Sequence, residues 1–298
     1  MTKVVQVGII GKIAGNVNAD EVIGNRATLK KMYSSDGGVY PFVSARAVKF
    51  AIRKALEERG YKIDPFVMSG ENMIDSGDPV KFIDNDLFGY MKAPRRPRGE
   101  RGEIAERRQA PIALSYFKAL RDTPIKSEFA ARFPRPETES ENPQPFEVEV
   151  AEFIGRLCCL IYPYVGIRSS EEKRKWEIDS VERTKRLKDF AEILLTPCYV
   201  LPRRTNSLAI PEYYASLIIL SSSGPLPVYQ YLDYSIESAK IIPDTRKLAN
   251  MISRTELKRG VQAYLIDYLH TVEKLPDGIG PSNVEEVSGK ISSFMTTE

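Results

Sequence analysis

Histidine is almost missing from this chain: one residue, His270, stands among 298. Imidazole is the usual general base and the commonest zinc ligand. Ser-His or Cys-His catalysis could therefore rest on that residue alone, and a histidine metal cluster is excluded. His270 ends the run Tyr264-Leu265-Ile266-Asp267-Tyr268-Leu269-His270 near the end of an expected helix spanning 247–270, where a cation suits the dipole and a structural or surface role is expected. Cysteine is nearly as sparse, at three residues. Cys158 and Cys159 are adjacent in an apolar segment and give neither a disulfide framework nor a paired metal spacing, so they are expected to fill core. No apolar run reaches the roughly 18 residues of a spanning helix, and the start at Val4 is too short and too β-branched for a signal sequence. A cytoplasmic protein without membrane contact is expected. Walker, Rossmann and RNP-type patterns are absent, so neither cofactor nor metal is expected.

What is present is a globular composition, 42% hydrophobic and 28% charged, with material for a sizeable core. The net charge of +3 is small, but the charges are segregated. Acids gather at 137–141 and 147–152, while 92–108 carries Arg95, Arg96, Arg98, Arg101, Arg107 and Arg108, an expected mobile, exposed loop. Glu100, Glu103 and Glu106 temper that loop.

Residues 3–13 alternate as a strand, followed by a glycine- and asparagine-bearing loop to about Pro41. A helix is predicted from Ser44, its N-cap, to Arg59, with Gly60 as stop and Val48, Ile52, Ala55 and Leu56 facing the core. On its other side Arg46, Lys49 and Arg53 share one stripe with Phe50 at the margin. A short strand or strand pair is predicted over 81–91, a surface connection over 133–145 and a long strand or hairpin over 146–164. Beyond these come a helix at 180–195, a basic loop at 203–207, a strand at 213–220 and another strand over 225–234. The order strand, helix, strand, insertion, strand, helix, strand predicts an α+β fold of split β-α-β kind, with an antiparallel sheet and helices on one side. One domain over 1–298 is expected.

The runs Gly11-Lys12-Ile13-Ala14-Gly15-Asn16-Val17-Asn18-Ala19-Asp20-Glu21-Val22-Ile23-Gly24 and Tyr40-Pro41-Phe42-Val43-Ser44-Ala45-Arg46-Ala47-Val48-Lys49 resemble the DevR-like CRISPR-associated autoregulator family, part of the RAMP superfamily. Asp84-Asn85-Asp86-Leu87-Phe88-Gly89-Tyr90 resembles that family's Asp-x-Asp-x-Phe-Gly segment, and Arg107-Arg108-Gln109-Ala110-Pro111-Ile112 its basic-then-apolar one. The likeness is strong over about 120 residues and looser beyond. It implies an RNA-recognition-like (ferredoxin-like) palm, an inserted finger region at 61–145 and a thumb loop. It also implies a noncatalytic backbone subunit of a type I Cascade complex. Its partners would be guide crRNA, target DNA, copies of itself in a helical filament and other Cascade subunits. The superfamily's Ser-Ser-Leu-Lys-Gly-x-x-Arg pattern maps onto the helix with Lys49 and Arg53 retained, Ala47 in place of the second serine and Phe50 in place of the glycine.

The candidate RNA-binding residues are Arg46, Lys49 and Arg53 on the helix, Asn16 and Asn18 after the first strand, and Arg203, Arg204 and Asn206 in the basic loop. A sequence-blind grip on a phosphate chain needs spaced cations and amides of this kind. Each group has a plainer reading, as a solvated helix face or a connecting loop, and for the helix the resemblance reverses the odds. Phe88 and Tyr90 read as core more readily than as base platforms. The alternative function is a type III-like backbone subunit cutting target RNA with a metal held by Asp20 beside Glu21.

Overall fold

Valine and isoleucine crowd the first strand, β1 (Val4–Gly15), because it is buried on both faces: Val4 to Ile10 are all inaccessible. The computed structural model describes every residue except 1, 18, 70–71, 93–105, 135–141, 170–171, 173–175, 203–208, 239, 255–259 and 298, and omits the side chains of 19, 20, 69 and 72. Two hairpins follow, β2 (Ala19–Ile23) with β3 (Arg26–Leu29) and β4 (Lys31–Tyr33) with β5 (Val39–Val43). The stretch expected as a loop is thus largely strand. Its glycines and asparagines mark the turns, while the β-branched and aromatic residues between them pair.

Helix α1 (Ala45–Glu58) begins where predicted, the Ser44 hydroxyl accepting the Ala47 amide at 3.3 Å, and Gly60 follows it at φ +91°. Ile52 and Leu56 are fully buried, each contributing about 1.5–3 kcal/mol. A small hairpin, β6 (Val67–Ser69) and β7 (Asn72–Ile74), precedes α2 (Ile83–Phe88). A strand was expected over α2. Six consecutive buried residues do not alternate, so both periodicities are masked there. Next come β8 (Tyr90–Lys92) and β9 (Glu106–Arg108), then β10 (Ile112–Leu114), β11 (Phe117–Ala119) and β12 (Lys126–Arg132). The long strand β13 (Gln144–Ile161) and helix α3 (Ser180–Leu195) match expectation.

Strand β14 (Glu212–Ser221) leads to a 3-10 turn at Tyr229–Tyr231 and the hairpin β15 (Tyr234–Glu237) and β16 (Lys240–Pro243), where one strand over 225–234 was expected. The stretch 247–270 is not mostly helical: α4 (Thr245–Ile252) is short, and β17 (Val261–Asp267) is a strand that adds to β14. His270 lies past it in a turn at φ +53°. Pairing with β14 overrides a run that reads equally well as helix. Strand β18 (Ile279–Pro281) and helix α5 (Val284–Thr296) complete the chain.

The main sheet runs β18-β17-β14-β1-β13-β11-β5-β4, with β10 also on β13. Its centre, β14-β1-β13-β10, is antiparallel throughout; α1 lies between β1 and β10 in the chain, and α3 between β13 and β14. Helices α1, α3 and α5 cover one face: Val5, Val7 and Ile9 pack with Val48, Ile52, Leu187, Phe190 and Ile291. Gly11 and Gly155 pair in register, and the Phe117 ring fills the space both leave, 3.2 and 3.0 Å from where a Cβ would stand. On the opposite face Ile10, Leu217, Ile219 and Leu265 pack with Leu232, Leu248 and Met251. Segment 226–232 is pinned there by Gln6, which accepts the Leu226 amide and donates to its carbonyl, and by the Tyr229 hydroxyl, which donates to the Cys159 carbonyl at 2.6 Å. No helix of the described residues is long and apolar enough to cross a membrane.

A cationic helix face as candidate nucleic-acid interface

Because α1 buries Val48, Ala51, Ile52 and Ala55, the helical period turns Arg46, Lys49, Phe50 and Arg53 outward. Arg46 and Phe50 are exposed and Lys49 is partly buried. Beneath the last two cations lies Phe88 from α2: the Lys49 ammonium is 5.3 Å and the Arg53 guanidinium 5.1 Å from its ring centroid. Phe88 is itself buried, edge-on to Phe190 at 6.3 Å. It is core, as is Tyr90. Neither is open to a base, and Phe88 serves as a floor that seats two positive charges together.

The two cations differ in their commitments. Arg53 pairs through Nε with the buried Asp84 carboxylate at 3.1 Å and makes no other hydrogen bond among the described residues, which leaves both Nη groups. Lys49 forms neither an ion pair nor a hydrogen bond among the described residues. Burial lowers its pKa from the ordinary 10.5, and the neighbouring Arg53 lowers it further. The face therefore holds a partly desolvated lysine with no anion beside it among the described residues.

Asp84 belongs to a buried polar cluster that fixes this floor. Its other oxygen accepts the Asp64 amide at 2.9 Å, and Asp64 in turn accepts from Phe66, Ser76 and Asn85. Asp86, fully buried, receives Arg108 at 2.7 Å, Arg186 at 3.0 Å and the Gly166 amide. Arg108 is also fully buried, giving further bonds to the Glu172 carboxylate and to the Asp86, Tyr164 and Ile167 carbonyls. Its guanidinium lies 4.5 Å from the Trp176 ring centroid. Burial opposes ionisation of Glu172, yet bonds from Ser169, Trp176 and Arg108 hold its carboxyl below the usual range. Arg108 thus departs from the exposed loop expected over 92–108; residues 93–105 lie outside the described residues, and only Arg107 of the final pair is exposed.

Asn16 is buried rather than offered to a ligand, its amide donating to the Glu149 carbonyl at 2.6 Å and its Oδ1 without a partner among the described residues. Gly11 and Gly15 belong to β1. Asn18, Arg203, Arg204 and Asn206 lie outside the described residues, as does the Asp20 side chain. The structure therefore brings together Arg46, Lys49 and Arg53, not the whole predicted set. Among the described residues no group of His, Cys, Asp and Glu is placed to hold a metal. A cleft of about 800 Å³ beside His270, Lys274 and Glu286 touches none of the predicted residues.

Missed by sequence reasoning were the Phe88 floor and the Asp64-Asp84-Asp86 cluster. The Asp-Asn-Asp triplet ahead of Leu-Phe-Gly was the available signal, but a single sequence does not separate a buried polar run from a solvated one.

Two solved chains share this architecture. One, from a structure named "CRISPR RNA-guided surveillance complex", superposes with a TM-score of 0.60 at 13% identity, over 96% of this chain and 99% of that one. Another, "CRISPR RNA-guided surveillance complex, pre-nicking", gives 0.62 at 10% identity, over 98% and 100%. At such identities the likeness is one of fold. No protein of curated function matches the chain by sequence. Over residues 74–240, more than half of the chain, the sequence matches the family described as CRISPR-associated negative auto-regulator DevR/Csa2. That stretch includes the 84–90 and 107–112 segments and excludes those at 11–24 and 40–49. The chain belongs to the DevR/Csa2 family.

Proposed function

We propose that this protein is a noncatalytic guide-RNA-binding backbone subunit of a type I CRISPR surveillance complex. It polymerises head to tail along the crRNA and supports recognition of target DNA beside other Cascade subunits. The carrying observation is Lys49: a partly buried ammonium seated with Arg53 on the Phe88 ring, with no carboxylate among the described residues to neutralise it. A phosphate supplies what the fold omits. The order β14-β1-β13-β10 supports an RNA-recognition-like palm, and because β10 and β11 pair with β13 in that sheet, the finger is the remainder of 61–145. Segment 226–232 covers the central strands where such folds expose base-stacking aromatics, which favours gripping the backbone over reading sequence. Heterologous contacts do not close, so copies can continue along a guide.

Lys49→Ala is expected to weaken binding roughly tenfold, as loss of a charge-assisted bond does, and to do so alike for single strands of unrelated sequence in fluorescence anisotropy. Loss confined to one sequence would refute a backbone grip. Phosphate contact should also restore the depressed Lys49 pKa, so binding takes up a proton in the alkaline range below 10.5. Affinity for an alkali-resistant 2′-O-methyl strand is then expected to fall as pH rises through that range, by at most about tenfold per unit, and Lys49→Arg to flatten the profile. With magnesium and complementary labelled RNA, assembled filaments should yield no regularly spaced fragments. A fragment ladder abolished by Asp20→Ala would establish the cleaving alternative.

A further inference from the structure

On the sheet face away from α1, strands β5, β11 and β13 place Phe42, Lys118 and Arg156 side by side, with Tyr116 just ahead of β11. The register aligns Lys118 with Phe42 on one flank and with Arg156 on the other. Their neighbours Val43, Phe117 and Ala119 enter the core beneath the helices, so alternation turns Phe42, Lys118 and Arg156 to the opposite face. Tyr116, 46% exposed, lays its ring on Phe42 with centroids 4.8 Å apart. The Lys118 ammonium lies over Tyr40 at 5.7 Å and makes no ion pair among the described residues. Arg156 donates to the Leu232 carbonyl and likewise meets no carboxylate there. Neighbouring acids are engaged: Asp122 accepts the Val39 amide, and Asp233 binds Arg121 and Lys247. Segment 226–232 covers the central strands up to this point.

We propose that this platform is a second nucleic-acid site, distinct from the α1 stripe, that takes one unpaired nucleotide of a single strand. The base stacks on the Tyr116–Phe42 pair, and its phosphate lies between Lys118 and Arg156. An exposed Tyr116 ring backed by the half-buried Phe42, beside cations with no carboxylate among the described residues, fits that ligand, whereas a protein partner of apolar chemistry would leave two charges buried and unpaired.

The test uses the full chain and three labelled probes of equal length: oligouridine RNA, oligothymidine DNA, and an abasic ribose-phosphate strand. Wild type should bind the base-bearing strands more tightly than the abasic one. Tyr116→Ala should cost at least about fivefold on the base-bearing strands and leave abasic binding unchanged, with Tyr116→Phe retaining wild-type affinity. Lys118→Ala should weaken all three probes. The RNA and DNA arms show whether guide or target is the natural strand. Lys49→Ala, which lowers base-bearing and abasic binding alike, reports separately on the α1 stripe. Equal losses for Tyr116→Ala on all three probes, or none on any, would overturn the second site and leave the first standing.

Discussion

Asp86→Ala is expected to lower unfolding stability by about 3–5 kcal/mol, read as a fall in the urea midpoint at unchanged slope. The carboxylate sits at zero accessibility between Arg108 and Arg186, which are 0% and 5% exposed at their side chains. Removing it leaves two guanidiniums in low dielectric and strips the Gly166 amide of its acceptor. A double-mutant cycle separates this cause from the small cavity created. Arg186→Met should cost less in the Asp86→Ala background than in wild type, because Arg186 has then already lost one of its two carboxylate partners while keeping Glu182. Additive losses would mean that the ion pair is incidental. Asp86→Ala should also weaken RNA binding, since Asp86 and Asp84 share the short helix that presents Phe88 to Lys49.

Gly89→Ala is the second large effect, expected at about 3 kcal/mol or more in the same measurement. Gly89 ends α2 at φ +72° and ψ 174°, a region essentially restricted to glycine that costs an L-residue about 1–3 kcal/mol by itself. A Cβ there would stand 2.4 Å from the Arg108 carbonyl oxygen, at the end of β9, and 2.9 Å from the Ala110 nitrogen just past it, both backbone atoms. That strand cannot retreat without pulling the Arg108 guanidinium out of its five bonds. A variant of wild-type stability would show that α2 and β9 are not held this closely.

These two residues also mark where the sequence was readable and where it was not. Helix α1, strand β13 and helix α3 were legible to within a few residues, because each has an unbroken apolar period and, for α1, end signals in Ser44 and Gly60. Helix α2 was not, since its buried residues include Asp84, Asn85 and Asp86, whose partners lie from 9 to 100 residues away along the chain. Strand β17 was lost for a related reason, its period decided by the pairing with β14. The stripe Arg46, Lys49, Arg53 could be read from helical spacing alone. That Arg53 answers to Asp84 while Lys49 meets no carboxylate among the described residues required the tertiary packing that α2 supplies. The burial of Asn16 was equally invisible, because it depends on the far strand β13 reaching Glu149.

The central claim is that an α1 cation holds a nucleic-acid backbone. The salt dependence of binding tests it most directly, because each neutralised phosphate releases counterions and adds a fixed increment to the slope of log affinity against log salt. For wild type and Lys49→Ala, measured on one unstructured RNA between about 50 and 200 mM salt, the variant's slope should be shallower by about 0.7, the increment for one phosphate of a single strand. An unchanged slope, whatever happened to the affinity, would contradict the account.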